Sequence, residues 1–128
     1  FLNDNLIGVI SFYDSDEIYY RQIFSLDYLQ NESPIEASSI SFFSNNVPNI
    51  QKKSLYLSRI AISEDFQGNG YSTEVLRYFE KEAKKNGHNL ISLHVHFNNK
   101  KAISVYKKYG FFIENNQYDY FIMLKEIK

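Results

Sequence analysis

A glycine turn between an apolar strand and an amphipathic helix is the feature that most constrains the fold. Leu55–Ile62 is mostly apolar and predicts a strand, and residues 71–85 carry apolar side chains at helical spacing. Between them lies Gln67-Gly68-Asn69-Gly70-Tyr71-Ser72. The glycines let the backbone turn tightly and approach a ligand, and the helix directs its first N–H groups into the turn. The segment therefore predicts a site for a phosphate or a pyrophosphate.

Two common nucleotide-binding patterns do not match this turn. The P-loop needs a second glycine followed by lysine and serine or threonine, and no such run occurs in the chain. The dinucleotide pattern needs a third small residue where Thr73 stands, and an acidic residue at the end of the next strand, which reads Val95-His96-Phe97. Taken alone, the turn fits a helix start without a ligand equally well.

The remaining pattern predicts a second helix and several further strands. Alternating apolar residues predict a strand over 91–97, and Asn98 or Asn99 caps a helix that ends at Tyr109. Similar patterns predict strands over 6–12, 111–114 and 118–127, the last two joined by a turn at 115–117. Residues 18–24 fit both a weak strand alternation and a helical spacing, and we favour the strand. Residues 31–53 are rich in Asn, Ser and Pro and predict a long loop with a short strand at 39–43. On the first helix, Glu80 and Lys84 are spaced for an ion pair on the solvent side.

Composition excludes several functions. The 128-residue chain has a net charge of −1, so neither nucleic acid nor an anionic membrane is an expected partner. It contains no cysteine, which excludes disulfides, a thiol nucleophile and cysteine-ligated zinc. No apolar run approaches the ~20 residues that span a bilayer, and no basic-then-apolar leader is present. We therefore expect a cytoplasmic protein. His94 and His96 share a strand face but lack a third ligand at metal-binding spacing, so no metal is expected.

Two motifs carry a family resemblance. Gln67-x-x-Gly70-x-Ser72 is followed by Asn99-x-x-Ala102-x-x-x-Tyr106-x-x-x-Gly110-Phe111, and together they resemble the GNAT superfamily of N-acetyltransferases. Residues 118–124 are similar to the last strand of that family. The resemblance implies an α/β fold with a mixed, mostly antiparallel central sheet flanked by helices, in which two parallel strands splay apart. These would be Leu55–Ile62 and 91–97.

The resemblance also bears on domain organisation. The family has a strand and two helices before its first hairpin, and this chain begins inside that hairpin. We therefore expect a single acetyltransferase-like domain over residues 1–128 that lacks those N-terminal elements. The wall of its acceptor site would then be incomplete or come from another chain, and a homodimer is possible within the family.

Acetyl-CoA is the cosubstrate that the resemblance implies. The backbone of Ile60, Ala61 and Ile62 would hydrogen-bond the pantetheine arm. Gln67 would orient the loop, Asn99 would bind the cofactor arm, and Tyr106 would protonate the leaving thiolate. A backbone N–H of Leu55–Ile62 would polarise the acetyl carbonyl. The N–H groups that would hold the pyrophosphate belong to the turn and the helix start: Gly68, Asn69, Gly70, Tyr71 and Ser72.

Several residues allow more than one interpretation. Ser72 stands where the family has glycine or alanine, and its hydroxyl could add a phosphate contact. Tyr106 could instead be a core aromatic beside Ala102 and Ile103. The histidines at 94 and 96 are expected to pack in the core or line the cleft, with a general-base role as the second interpretation.

Charged groups near the expected cleft are not distinguished by their spacing. Acidic residues at 14, 16, 17 and 36 could face the acceptor, although water could equally take the proton of the amine. Lys100 and Lys101 are expected on a solvated helix face, and Lys107 or Lys108 could contact the outer phosphate of the cofactor.

The predicted function is direct acetyl transfer from acetyl-CoA to a primary amine of a small-molecule or peptide acceptor, without a covalent enzyme intermediate. The alternative is a non-catalytic acyl-CoA-binding domain used for sensing or assembly.

Overall fold

The computed structural model describes residues 8–18, 21, 50, 52–63, 67–68 and 70–128. These residues form a five-stranded sheet and two α-helices whose first and last residues are both described. The strands are β1 (Gly8–Asp14), β2 (Leu55–Ile62), β3 (Leu90–His96), β4 (Phe112–Gln117) and β5 (Tyr120–Glu126). The helices are α1 (Tyr71–Lys85) and α2 (Lys100–Tyr109), and a short 3-10 turn covers Ser15–Glu17. Neither α1 nor α2 is long and apolar enough to cross a membrane.

The sheet is mixed and mostly antiparallel, which confirms the predicted fold class. Its strand order is β1-β2-β3-β5-β4, and only β2 and β3 run parallel. That pair is joined by α1, as expected for a crossover between parallel strands. The bounds predicted for β2 and α1 are both confirmed.

The parallel strands separate after a short contact, as the resemblance implied. They pair only from Leu55 opposite Ile91 to Leu57 opposite Leu93. On the other side of β2, the register with β1 shifts beyond Leu57, so that Ser58 forms a β-bulge. A bulge bends its strand and increases the local twist. Residues 58–62 therefore keep β1 on one side and leave the other side open toward β3.

The two faces of the sheet are covered differently. Helix α1 buries Leu76, Phe79 and Ala83 against the apolar side chains of β2 and β3. The opposite face carries a smaller cluster of Tyr13, Ile18 and Tyr56. Because side chains alternate along a strand, the β3 residues Ser92, His94 and His96 lie on this second face.

A half-buried polar network fastens α1 to α2 and β5. Tyr109 donates a hydrogen bond to Glu80 Oε2 at 2.5 Å, and Lys125 Nζ donates to Glu80 Oε1 at 2.8 Å. Burial acts to raise the pKa of Glu80, but the hydrogen bonds from Lys125 and Tyr109 outweigh it and hold that pKa below its usual value. The expected partner, Lys84, lowers this pKa through its charge, but the ion pair that forms with Glu80 is that of Lys125. The network fixes the C-terminal end of α2, one turn from Tyr106.

Some predicted elements need correction. Ile18 and Arg21 are helical, so the strand predicted over 18–24 is wrong at both described positions, where local spacing fits a helix as well. The turn predicted at 115–117 lies instead at Tyr118 and Asp119, with Tyr118 at φ 55°. A register shift beside Glu114 carries β4 past the polar residues that resemble a turn. Strand β1 reaches Asp14, beyond the predicted end at 12. The predicted strand at 39–43 and most of the loop at 31–53 lie outside the described residues.

Candidate functional site

A cavity lies where β2 and β3 separate, on the face that the helices cover. Its volume is about 340 Å³. The open side of β2 forms one wall through Ile60, Ala61 and Ile62, and the start of α2 forms the other. Backbone polar groups on an unpaired strand edge need hydrogen-bond partners. The cavity can therefore hold an extended ligand that pairs with the strand as a further strand would.

The glycine turn closes one end of this cavity. Gln67 donates a hydrogen bond from Nε2 to the Ile62 carbonyl at 3.0 Å and so ties the turn to the end of β2. Gly68 and Gly70 have φ of 83° and 79°, a backbone conformation that other residues rarely adopt. Apart from its chain neighbours, a Cβ on either glycine would meet no atom of the described residues within 4 Å. Because the space beside this turn is open and α1 begins here, the turn fits an anionic group such as a pyrophosphate.

Most of the predicted cofactor-binding residues come together around this cavity. Gly70 and Tyr71 lie at the start of α1 but do not line the cavity, and Asn69 lies outside the described residues. The predicted residues in the lining are Ile60, Ala61, Ile62, Gln67, Gly68, Ser72, Asn99 and Tyr106.

Four further lining residues were not predicted: Leu76, Lys101, Ala102 and Val105. Helical spacing could have indicated Ala102 and Val105, because they share the Tyr106 face of α2. Lys101 was expected on a solvated face; it is exposed, but it stands at the rim of the cavity. A cation there could meet an anionic part of the ligand, a contact that the sequence predicts for Lys107 or Lys108.

Asn99 and Tyr106 are positioned by α2. Of the two predicted caps, Asn98 and Asn99, the N-cap is Asn99, and its Oδ1 accepts a hydrogen bond from the Ala102 N–H at 3.3 Å. Tyr106 is half-buried, with its ring packed edge-on against Phe111. Burial raises the pKa of the Tyr106 hydroxyl. The hydroxyl therefore stays protonated near neutral pH and can act as a proton donor.

A second cavity opens into the same gap between the strands. Its volume is about 310 Å³, and both β2 and β3 contribute to its wall. It shares Ile60, Asn99 and Tyr106 with the first cavity, and it adds His94 and His96 from the second face of the sheet. A ligand in the first cavity and a ligand in the second would thus meet beside Tyr106.

His94 is held between tyrosines. Its ring stacks on Tyr56 at 5.7 Å between centroids and meets the edge of Tyr120 at 5.0 Å. Burial lowers the pKa of His94 to about 4. Burial, with smaller effects from the neighbouring tyrosines, raises the pKa of Tyr56, so its hydroxyl stays protonated. We assign this hydroxyl as the donor in its hydrogen bond with His94 Nδ1.

The histidine contacts argue against the general-base interpretation. With Nδ1 of His94 accepting from Tyr56, the ring proton lies on Nε2. His96 is arranged alike, since its Nδ1 accepts the Asn98 N–H at 3.1 Å. A base must offer a lone pair to the amine, and in both rings the lone pair is already used.

The acidic candidates lie elsewhere. Asp14 pairs with His88 Nε2 at 2.7 Å and lines a separate cavity with Lys53, at the far end of β1. Asp16 and Glu17 cluster near Asp14 rather than at the gap. The fourth candidate, residue 36, lies outside the described residues.

Comparison with known proteins gives a family match. Residues 1–111 match the model of the acetyltransferase (GNAT) family. Over 68 residues, 52% of this chain, the sequence is 35% identical to an uncharacterized N-acetyltransferase of Methanocaldococcus jannaschii. The matched part is 30% of the length of that relative.

Solved structures share the fold at low sequence identity. The structure of SsHAT matches 97% of this chain and 68% of its own, with a TM-score of 0.78 and 16% identity. The PaiA N-acetyltransferase of Thermoplasma acidophilum was solved in complex with coenzyme A. It matches 94% of this chain and 99% of its own, with a TM-score of 0.55 and 16% identity. The match to the acetyltransferase (GNAT) family is consistent with the predicted cosubstrate, acetyl-CoA.

Proposed function

We propose that this chain moves an acetyl group directly from acetyl-CoA to an amine, because it belongs to the acetyltransferase (GNAT) family. The observation that carries the proposal is the junction of two cavities in the gap between β2 and β3. Direct transfer needs both substrates bound at once, with their reacting atoms in contact. The shared wall at Ile60, Asn99 and Tyr106 supports that arrangement.

The first cavity would hold the cosubstrate. Its strand edge at Ile60, Ala61 and Ile62 offers backbone groups to the amides of the pantetheine arm. The glycine turn and the start of α1 would bind the pyrophosphate, with Ser72 adding a hydroxyl. Bound acetyl-CoA supplies an acetyl group activated as a thioester.

Tyr106 is the residue that we assign to catalysis. As the amine nitrogen forms its bond to the acetyl carbon, the carbon–sulfur bond breaks and the sulfur requires a proton. Tyr106 lines both cavities and its hydroxyl holds its proton at neutral pH, so it would donate to the sulfur. A backbone N–H of residues 58–62 would polarise the acetyl carbonyl, and the proton of the amine would pass to water.

A pair of matched glycine substitutions tests the cofactor site. Gly68 and Gly87 have φ of 83° and 82°, and among the described residues other than its chain neighbours a Cβ at either position meets no atom within 4 Å. Each Gly→Ala change should therefore cost a similar ~1–2 kcal/mol of stability from the left-handed backbone. Only Gly68 lines the first cavity, so only Gly68→Ala should weaken acetyl-CoA binding in calorimetry, by about tenfold or more.

The outcomes separate cofactor binding from catalysis. If acetyl-CoA does not bind the wild-type chain, or if the two variants bind it equally well, the proposed site is wrong. If acetyl-CoA binds but no amine in a broad acceptor screen is acetylated, the chain is an acyl-CoA-binding domain rather than an enzyme.

A further inference from the structure

The described residues that line the second cavity include hydrogen-bond donors and one permanently charged cation, Arg59, but no carboxylate. Arg59 of β2 is exposed at its rim and forms no ion pair within the described part of the chain. The other polar groups are those of Ser58, Asn99, the two histidines and two tyrosines.

Both imidazoles contribute donors rather than acceptors. Nδ1 of His94 accepts from Tyr56, and Nδ1 of His96 accepts from the Asn98 backbone. An accepting Nδ1 leaves the ring proton on Nε2, so each ring has an N–H for a further partner. Tyr106, which lines both cavities, adds a phenolic O–H.

This inventory discriminates between classes of amine. A polyamine or an aminoglycoside carries several ammonium groups, which require carboxylate or carbonyl partners and would be repelled by Arg59. A carboxylate beside the amine would instead accept hydrogen bonds from the guanidinium and the imidazoles. The cavity volume of about 310 Å³ is at the lower end of the range for small-molecule sites, and its apolar wall includes Leu57, Leu93 and Val95.

We propose that the acceptor is a small amino acid whose amine is acetylated while Arg59 at the rim of the second cavity binds its carboxylate. This inference rests on the proposed acetyl transfer and adds the substrate class. The reaction forms an amide between the amino nitrogen and the acetyl group, the thiol of CoA leaves, and the carboxylate is unchanged. The nearby cation also lowers the pKa of the amine, which increases the fraction of reactive free amine.

The test compares each amino acid with its own carboxamide. The twenty L-amino acids and their carboxamides are assayed on the full chain by CoA release, at equal concentrations of unprotonated amine, with spermidine as a polycationic acceptor. We expect at least one amino acid to exceed its carboxamide and spermidine in kcat/KM by about tenfold to a hundredfold, as for a hydrogen-bonded charge pair. Arg59→Gln should bring that ratio close to one, mainly through KM. Arg77→Gln, which removes the same charge from the exposed face of α1, should keep it.

Each outcome has one meaning. If carboxamides or spermidine react as well as the amino acids, or if Arg59→Gln leaves the ratio unchanged, the substrate class is wrong while acetyl transfer stands. If no amino acid is acetylated although acetyl-CoA binds in calorimetry, the substrate class is likewise overturned. If acetyl-CoA itself does not bind, the proposed function fails together with this inference.

Discussion

Acidification should destabilise the fold through His94, whose ring is buried between Tyr56 and Tyr120. Burial lowers the folded-state pKa of His94 to about 4, whereas an unfolded histidine has a pKa of about 6.5. Above pH 6.5 the ring is neutral in both states, and its contribution to stability is fully present. As the pH falls below 6.5, the unfolded state takes up a proton that the folded state refuses, and stability is lost down to about pH 4.

The size of the effect follows from the difference between the two pKa values. One pKa unit corresponds to about 1.4 kcal/mol, so the interval from about 6.5 to about 4 corresponds to about 3 kcal/mol. A typical domain has a free energy of unfolding of roughly 5–15 kcal/mol, so this loss is a substantial part of it. Other groups also titrate in acid, so the prediction concerns the difference between wild type and His94→Gln. Glutamine keeps an oxygen that can accept from Tyr56 but has no proton to gain.

Urea denaturation at half-unit steps from pH 8 to pH 4 measures that difference. The advantage of wild type over His94→Gln should shrink by about 3 kcal/mol between pH 7 and pH 4. In His96→Gln, which removes the neighbouring imidazole, the free energy of unfolding should keep the pH dependence that His94 causes. An NMR titration should place the His94 pKa near 4. A difference that does not vary with pH, or a His94 pKa near 6.5, would refute the assigned burial.

Three substitutions test the packing around α1 and α2 by urea denaturation. Phe79→Ala should lower the free energy of unfolding by about 3–5 kcal/mol, because the Phe79 side chain is fully buried. Tyr78→Phe, at the exposed neighbouring residue, should change it by less than about 0.5 kcal/mol. Equal losses in the two variants would contradict the orientation of α1. Gly110→Ala should destabilise the protein because φ is 124° and the new Cβ would lie 2.9 Å from Lys125 Cε; a neutral result would contradict that geometry. Glu80→Gln should destabilise the protein at pH 7, because the lowered folded-state pKa of Glu80 means that its carboxylate stabilises the fold. This contribution disappears on protonation, so the difference in unfolding free energy between wild type and variant should narrow as the pH falls below the usual glutamate range. A difference independent of pH would show that the charge is unimportant.

The local sequence pattern predicted an element correctly where the spacing of its apolar residues matches the face that the fold buries. Strand β2 and helix α1 were predicted with the bounds that the structure has, because their apolar periodicity is the periodicity of their buried faces. The turn near residue 117 was misplaced because Asn115 and Asn116 favour turns locally, while pairing with β5 keeps both in a strand. Glu80 was assigned to Lys84 because local spacing does not contain Lys125, 45 residues away in sequence.

The candidate site was predictable in its backbone and less so in its side chains. The turn and the α2 motif located the first cavity, since both depend on residues close in sequence. The second cavity depends on a bulge at Ser58 and on a parallel pair that ends at Leu57, and neither has a local sequence signal. The hydrogen bond that orients His94 joins residues 38 positions apart, so the state of that ring follows only from the assembled sheet.

Turnover by Tyr106→Phe tests the central claim, that acetyl transfer takes place where the two cavities meet. The hydroxyl is removed while the ring keeps its contact with Phe111, so acetyl-CoA affinity should change little. With any amine that wild type acetylates, kcat should fall by about a hundredfold, while Tyr78→Phe on the exposed face of α1 should match wild type. Wild-type turnover in Tyr106→Phe, with acetyl-CoA binding intact, would contradict the assignment of the proton donor and of the reaction site.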